Sequence, residues 1–150
     1  MYTIEEYDIQ KTKVLKYVLY KKRTIREIKI KFKSIMDEDM LEDIIEELKQ
    51  NNYIGDEQYI KKAVNEYIAL KNLSIKELKY KLASKGISQD MIDDYILKNF
   101  DELEEYERKS AENIAVKKSV NMDEIDIKSY LLKKGYKEEI IREAIEKIEE

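Results

Sequence analysis

The sequence predicts an all-α fold: three tandem three-helix repeats, helix-turn-helix-like modules stacked into an elongated curved rod. Three observations carry this reading. Apolar residues recur at helical spacing throughout, with no proline and only 3 glycines to interrupt them in 150 residues. Three segments open alike, at Thr24-Ile-Arg-Glu27, Ser74-Ile-Lys-Glu77 and Asp123-Glu-Ile-Asp126. In each, a small oxygen-bearing residue precedes an acid three positions on, so the cap oxygen takes an orphan backbone N–H and the acid reaches back or meets the positive helix end. The residues that follow then align in columns with a period of about 50 residues, the mark of a repeated unit.

The columns are specific. Ile28, Leu78 and Ile127 share one, Phe32, Leu82 and Leu131 another, and Lys29, Lys79 and Lys128 a third. The second and third copies turn at Lys85-Gly86 and Lys134-Gly135, whereas the first has Ser34-Ile-Met36 and is one residue shorter there. Beyond the turn Met40, Met91 and Ile140 align, as do Ile45, Ile96 and Ile145. The modules are accordingly residues 1–54, 55–100 and 101–150.

Taken in order, the first helix is expected over residues 10–23, where Val14, Leu15, Tyr17 and Val18 mark an apolar face. The second, residues 24–33, carries Ile25, Ile28 and Phe32; the third, residues 38–50, turns Leu41, Ile44, Ile45 and Leu48 inward. Residues 51–56 break the chain, with Gly55 suited to a left-handed cap and Asp56 to an N-cap. The second module repeats the plan over residues 56–71, 74–85 and 89–99. In the third, helices are expected over residues 101–118, 122–134 and 137–148. The opening helix there is mostly polar, inward-facing only through Tyr106, Ala111, Ile114 and Ala115, which predicts looser docking. Three-helix units this small bury too little alone and need their neighbours.

Composition narrows the function. With no histidine and no cysteine, the usual general base near neutral pH, the usual transition-metal ligands and disulfides are all missing. The glycines stand apart at 55, 86 and 135, so there is no glycine-rich phosphate loop. Carboxylates are abundant but interleave with lysine on helix faces, without a sparse buried pair. No catalytic role, cofactor, metal or small-molecule substrate is expected. No apolar run approaches the roughly 18 residues of a membrane span, and residues 1–10 lack the basic start of a signal peptide. A cytoplasmic protein is expected.

Charge follows the repeat. Residues 11–34 carry a net +9 and residues 35–57 a net −8; residues 58–86 carry +5 and 87–107 carry −7; residues 108–137 carry +4 and 138–150 carry −4. The first two helices of each module are basic and the third is acidic. One reading is a basic strip along the row for an anionic linear partner, such as nucleic acid or a nucleoprotein filament. The other is that basic and acidic helices neutralise one another, each exposed pair worth under about 1 kcal/mol. The candidate partner-binding residues are Arg23, Arg26, Lys29, Lys33, Lys76, Lys79, Lys85, Lys128 and Lys134. The 12 tyrosines, mostly at core spacing, are expected to pack rather than stack on bases.

Three passages resemble the RecX regulators of the RecA recombinase. Arg23-Thr-Ile-Arg-Glu27-Ile28 is like the family's opening Arg-x-Ser-x-x-Glu-Leu. Asn52-Tyr-Ile-Gly-Asp56-Glu-Gln-Tyr59 is like its Gly-Tyr-Leu-x-Asp-Glu-x-Tyr junction, and Glu77-Leu78 followed by Lys85-Gly86-Ile87 is like its Glu-Leu-x-x-Lys-Gly-Ile stretch. The resemblance spans residues 11–150. It implies a non-enzymatic monomer that lies along the RecA filament on single-stranded DNA and dampens strand exchange, ATP hydrolysis and co-protease activity in homologous recombination and the SOS response. Asn72 stands where the family often has glycine, and the first module lacks the Lys-Gly turn. Weak direct DNA contact is a further expectation. The alternative is a tandem helix-turn-helix DNA-binding protein, against which the acidic third helices argue by repelling phosphate.

Overall fold

The computed structural model describes residues 2–149, which form nine α-helices and no strand. They are α1 (Ile4–Tyr20), α2 (Ile25–Phe32), α3 (Glu38–Gln50), α4 (Asp56–Leu70), α5 (Ile75–Ser84), α6 (Gln89–Lys98), α7 (Phe100–Lys118), α8 (Glu124–Lys134) and α9 (Glu138–Glu149). The all-helical class and eight of the nine helices follow the sequence reading to within a residue or two at each end.

The exception is α1, which starts six residues before the expected position 10. Thr3 and Glu6 form a reciprocal capping box there: the Glu6 N–H donates to Thr3 Oγ1 at 3.0 Å and the Thr3 N–H to the Glu6 carboxylate at 3.3 Å. The added turns and the residue before their cap lay two tyrosines on α3. The Tyr7 hydroxyl donates to the Glu47 carboxylate at 3.0 Å and the Tyr2 hydroxyl to that of Asp43. Burial, then the Glu47 contact, pushes the Tyr7 phenol up to about 12. Lys11 meets the same Glu47 at 3.2 Å and, with Tyr7, holds its carboxyl below the usual range.

The junction near Gly55 also differs. Gly55 is extended, with φ 165°; the left-handed residue is Asn52, with φ 63°. Asn52 therefore closes α3, with the Tyr53 N–H bonded to the Leu48 carbonyl and the Asn52 N–H to that of Lys49. This is the hydrogen-bond pair of a Schellman motif, and asparagine tolerates its left-handed position. Asp56 is the first residue of α4 and caps a different helix, as described below. Gly86 and Gly135 adopt φ of 92° and 97° as the Lys-Gly turns require, each with the same paired N–H bonds.

Three separate apolar clusters make the core. The first gathers Val14, Ile28, Phe32, Ile44 and Leu48 from α1–α3 and is closed by Ile54. The second gathers Ile60, Val64, Leu78, Leu82 and Ile92 from α4–α6, and the third Ala111, Ile127, Leu131, Ile140 and Ile141 from α7–α9. Two residues cross over from the first turns of α7: Leu103 is buried in the second cluster and Tyr106 packs against it. Docking of α7 is not loose. It buries Leu103, Glu107, Ser110, Ala111, Ile114 and Ala115, and its contact with α9 is the most extensive of any helix pair. Small side chains at 110, 111 and 115 let the helices approach closely, so fewer bulky residues do not mean weaker packing. α7 also packs against α5 and α6, whereas no pairing of comparable extent joins α1–α3 to α4–α6 among the described residues.

Candidate protein-interaction surface

What joins the clusters is a polar latch, built twice from the same parts. Each begins with a cap hydroxyl that serves two helices. Thr24 Oγ1 accepts from the Glu27 N–H at 3.1 Å and donates to the Lys85 carbonyl at 2.8 Å. Ser74 Oγ accepts from the Glu77 N–H at 3.1 Å and donates to the Lys134 carbonyl at 2.6 Å. Both hydroxyl residues are fully buried. The same lysines then bring their ammonium groups to the capping-box glutamates, Lys85 to Glu27 at 3.7 Å and Lys134 to Glu77 at 3.1 Å.

The glycines complete the fit. A Cβ on Gly86 would lie 2.2 Å from Cδ and 2.6 Å from Cβ of Arg26; one on Gly135 would lie 2.9 Å from Cβ of Lys76. Each glycine thus receives the stem of the second residue of α2 or α5, besides taking the left-handed turn. An acid from the following module then caps the first helical N–H. The Ile25 N–H donates to Asp56 at 3.0 Å and the Ile75 N–H to Glu107 at 2.6 Å.

Both irregularities of the repeat fall at latch positions. The Ser34-Ile-Met36 turn of the first copy has no Lys-Gly pair, and the cap of the third copy is Asp123, which accepts from the Asp126 N–H at 2.9 Å but has no hydroxyl hydrogen to donate onward.

The two seams are unequal. At the second, Glu107 is 1% exposed and its Oε1 has no hydrogen-bond partner. Burial raises its pKa, opposed first by the Ile75 N–H and then by Lys137. The Ser110 hydroxyl donates to the Leu73 carbonyl at 2.9 Å and lies 3.0 Å from the Tyr136 hydroxyl, while the Tyr106 hydroxyl accepts from the Leu73 N–H at 3.0 Å. The first seam is wetter, with Asp56 and its surroundings only part-buried.

Of the candidate residues, Arg26, Lys76, Lys85 and Lys134 therefore stand in the latches. The lysine column lies along the edge facing the third helix. Lys79 meets Asp93 at 3.6 Å, Lys29 and Lys33 flank a groove with Glu38 and Glu42, and Lys128 flanks one with Glu138 and Arg142. The Arg23 guanidinium sits 4.2 Å from the Tyr17 ring centre, with a buried Nε that has no partner. Sequence reasoning missed the double duty of the cap hydroxyls and the acids Asp56 and Glu107. The usable signal was that Lys-Gly occurs only in copies preceded by a Thr or Ser cap. Among the described residues no cluster of three potential metal ligands occurs and no helix is long and apolar enough to cross a membrane. The surface offers charge, hydrogen bonds and exposed apolar side chains for binding.

Comparison with known proteins places this architecture. No family model matches the chain. It is 32% identical over 136 residues to the regulatory protein RecX of Clostridium beijerinckii, covering 84% of this chain and 62% of that protein. It is 30% identical over 158 residues to regulatory protein RecX of Clostridium acetobutylicum, covering 96% and 71%, and 28% identical to that of Staphylococcus carnosus, covering 90% and 52%. The chain thus spans about half to two thirds of the first two curated relatives' lengths, 62% and 52%. The crystal structure of RecX from Lactobacillus salivarius superposes with a TM-score of 0.80 at 26% identity, over 98% of this chain and 99% of that one. A second, a crystal structure of regulatory protein RecX, superposes with a TM-score of 0.79 at 23% identity and shares the fold.

Proposed function

The chain belongs to the RecX family of regulatory proteins, and from that premise we propose that it is a non-enzymatic, monomeric cytoplasmic regulator of the RecA recombinase. It lies as a curved rod along the RecA filament on single-stranded DNA and restrains ATP hydrolysis, strand exchange and co-protease activity. The observation that carries this reading beyond the family is the repeated latch. Joining three modules by the same contacts sets equivalent residues at a regular interval along one body, which suits a partner that itself repeats. The candidate contacts are Arg23, Arg26, Lys29, Lys33, Lys76, Lys79, Lys85, Lys128 and Lys134, with the latch lysines contributing whatever face they leave open.

The partner in this reading is mainly protein. The chain is acidic overall, with a formal charge of −4, and α3 carries Asp39, Glu42, Asp43, Glu46 and Glu47, which repel a phosphate backbone. Direct DNA contact is accordingly weak, and a tandem helix-turn-helix reader of duplex DNA is disfavoured.

The test is RecA ATP hydrolysis on single-stranded DNA with increasing amounts of this protein. Inhibition, with filaments of altered length, is expected. Unchanged hydrolysis and filament length would overturn the proposal, and tight, salt-sensitive binding to bare duplex would favour the helix-turn-helix alternative. Lys29→Glu with Lys79→Glu is expected to weaken filament binding while helix content stays intact.

A further inference from the structure

The first seam holds a charge conflict that the second has resolved. Repeat equivalence, set by Thr24 with Ser74 and by Asp56 with Glu107, matches Lys22 to Asn72, Lys61 to Glu112 and Lys62 to Asn113. At the second seam Asn113 donates to Asn72 at 3.2 Å and closes the junction with a neutral contact. At the first, Lys22 faces Lys61 and Lys62 across a shallow groove of about 670 Å³. Among the described residues none of these three lysines has a carboxylate within 4.0 Å; the Lys22 ammonium reaches only the Gln58 side chain, at 3.4 Å. Like charges brought together across a module junction oppose its closure, and such local conflicts concentrate at binding sites.

Gln58, Asn65, Glu66, Ala69 and Leu70 complete the lining, so three lysines stand against one acid and the groove keeps a net positive charge. Leu70, at the end of α4, is 80% exposed and with Ala69 supplies its apolar floor. We propose that this groove is a docking site for an acidic segment of a protein partner carrying one apolar anchor residue: its carboxylates bridge Lys22 of the first module to Lys61 and Lys62 of the second, and its anchor packs on Leu70. A nucleic-acid strand fits less well. The groove offers no aromatic platform on which to stack bases, and its apolar floor would lie against sugar and phosphate. Because the lysines come from both sides of the seam, the bound segment also ties the first module to the second. The first seam lacks the apolar bridge that Leu103 supplies at the second, so the effect of this tie falls where the chain is least braced.

The experiment contains no recombinase, so its outcome is independent of the preceding proposal. A fluorescent peptide of Asp and Glu with one central Leu is titrated with the full chain and followed by anisotropy. The same peptide with Ala at its centre and an oligodeoxythymidylate of equal charge serve as competitors. Lys22→Asn with Lys62→Asn, which writes the second seam's pair into the first, is expected to weaken peptide binding about tenfold. Its thermal unfolding should be unchanged or raised, because a repulsion is removed. Leu70→Ala, at an exposed position, is expected to weaken binding about threefold and to abolish the preference for the Leu peptide. Absence of saturable peptide binding, or binding indifferent to the lysine pair, would overturn the proposal. So would an oligonucleotide that outcompetes the peptide regardless of Leu70.

Discussion

Ser74→Asp separates capping from latching. Aspartate caps a helix at least as well as serine, so in an isolated α5 the change would be neutral or mildly favourable. In the folded chain Ser74 does a second job, donating to the Lys134 carbonyl at 2.6 Å from a fully buried position. A carboxylate cannot donate that hydrogen. It leaves the carbonyl unpaired, a loss of roughly 1–3 kcal/mol, and sets a negative charge against it out of water, a further penalty of the same sign. Asp123→Ser is the mirror control: it installs the hydroxyl at the exposed third cap, where no described module follows, and should stay within about 0.5 kcal/mol of the parent. Urea unfolding followed by far-ultraviolet circular dichroism measures both. Melting should fall by about 2–4 °C for each kcal/mol lost by Ser74→Asp. If Ser74→Asp matches the parent, or Asp123→Ser shifts stability as much, the cap hydroxyl is not a latch and the seam rests on other contacts.

Two further outcomes follow from the same geometry. Gly86→Ala should cost about 1–2 kcal/mol from its left-handed backbone alone, and more from the clash with Arg26. Arg26→Ala should not rescue it, because the Arg26 Cβ would already lie 2.6 Å from the new methyl; full recovery in that double variant would refute the close fit. For Glu107 the sign is set by its raised folded pKa. The folded state holds the proton more tightly than the unfolded chain, so this contribution is fully present below the ordinary carboxylate pKa and is lost as pH rises through the raised one. Glu107→Gln should flatten that stretch of the stability–pH curve; a curve parallel to the parent's would show that Glu107 does not titrate differently in the fold.

The parts of this molecule that follow local rules were legible in the sequence. The caps at Thr24 and Ser74, the Lys-Gly turns and the apolar faces of α2, α3, α5 and α9 are each fixed by residues three or four apart, and they appear where expected. The capping box of Thr3 and Glu6 is also local, but no apolar repeat column leads up to it. Its place after Gly55 predicts that Asp56 caps its own helix; it caps instead the N–H of Ile25, 31 positions away. Glu107 carries no local signal that sets it apart from the other acids of α7, and it is almost fully buried because the chain folds α7 against the start of α5.

The sequence by itself determined the three copies of an α-helical unit, because caps, turns and helical periodicity are short-range and need no partner elsewhere. It also set the charge of each helix. Only the tertiary structure decided what those charges do. Lys85 and Lys134 meet glutamates 58 and 57 positions earlier in the chain, in the preceding module. Their neighbours Gly86 and Gly135 receive side chains about as distant. Lys22, Lys61 and Lys62 are left facing one another, with Leu70 beside them. The difference lies in distance along the chain: a hydroxyl's first hydrogen bond is dictated by its own helix, while its second depends on which carbonyl the fold brings within reach.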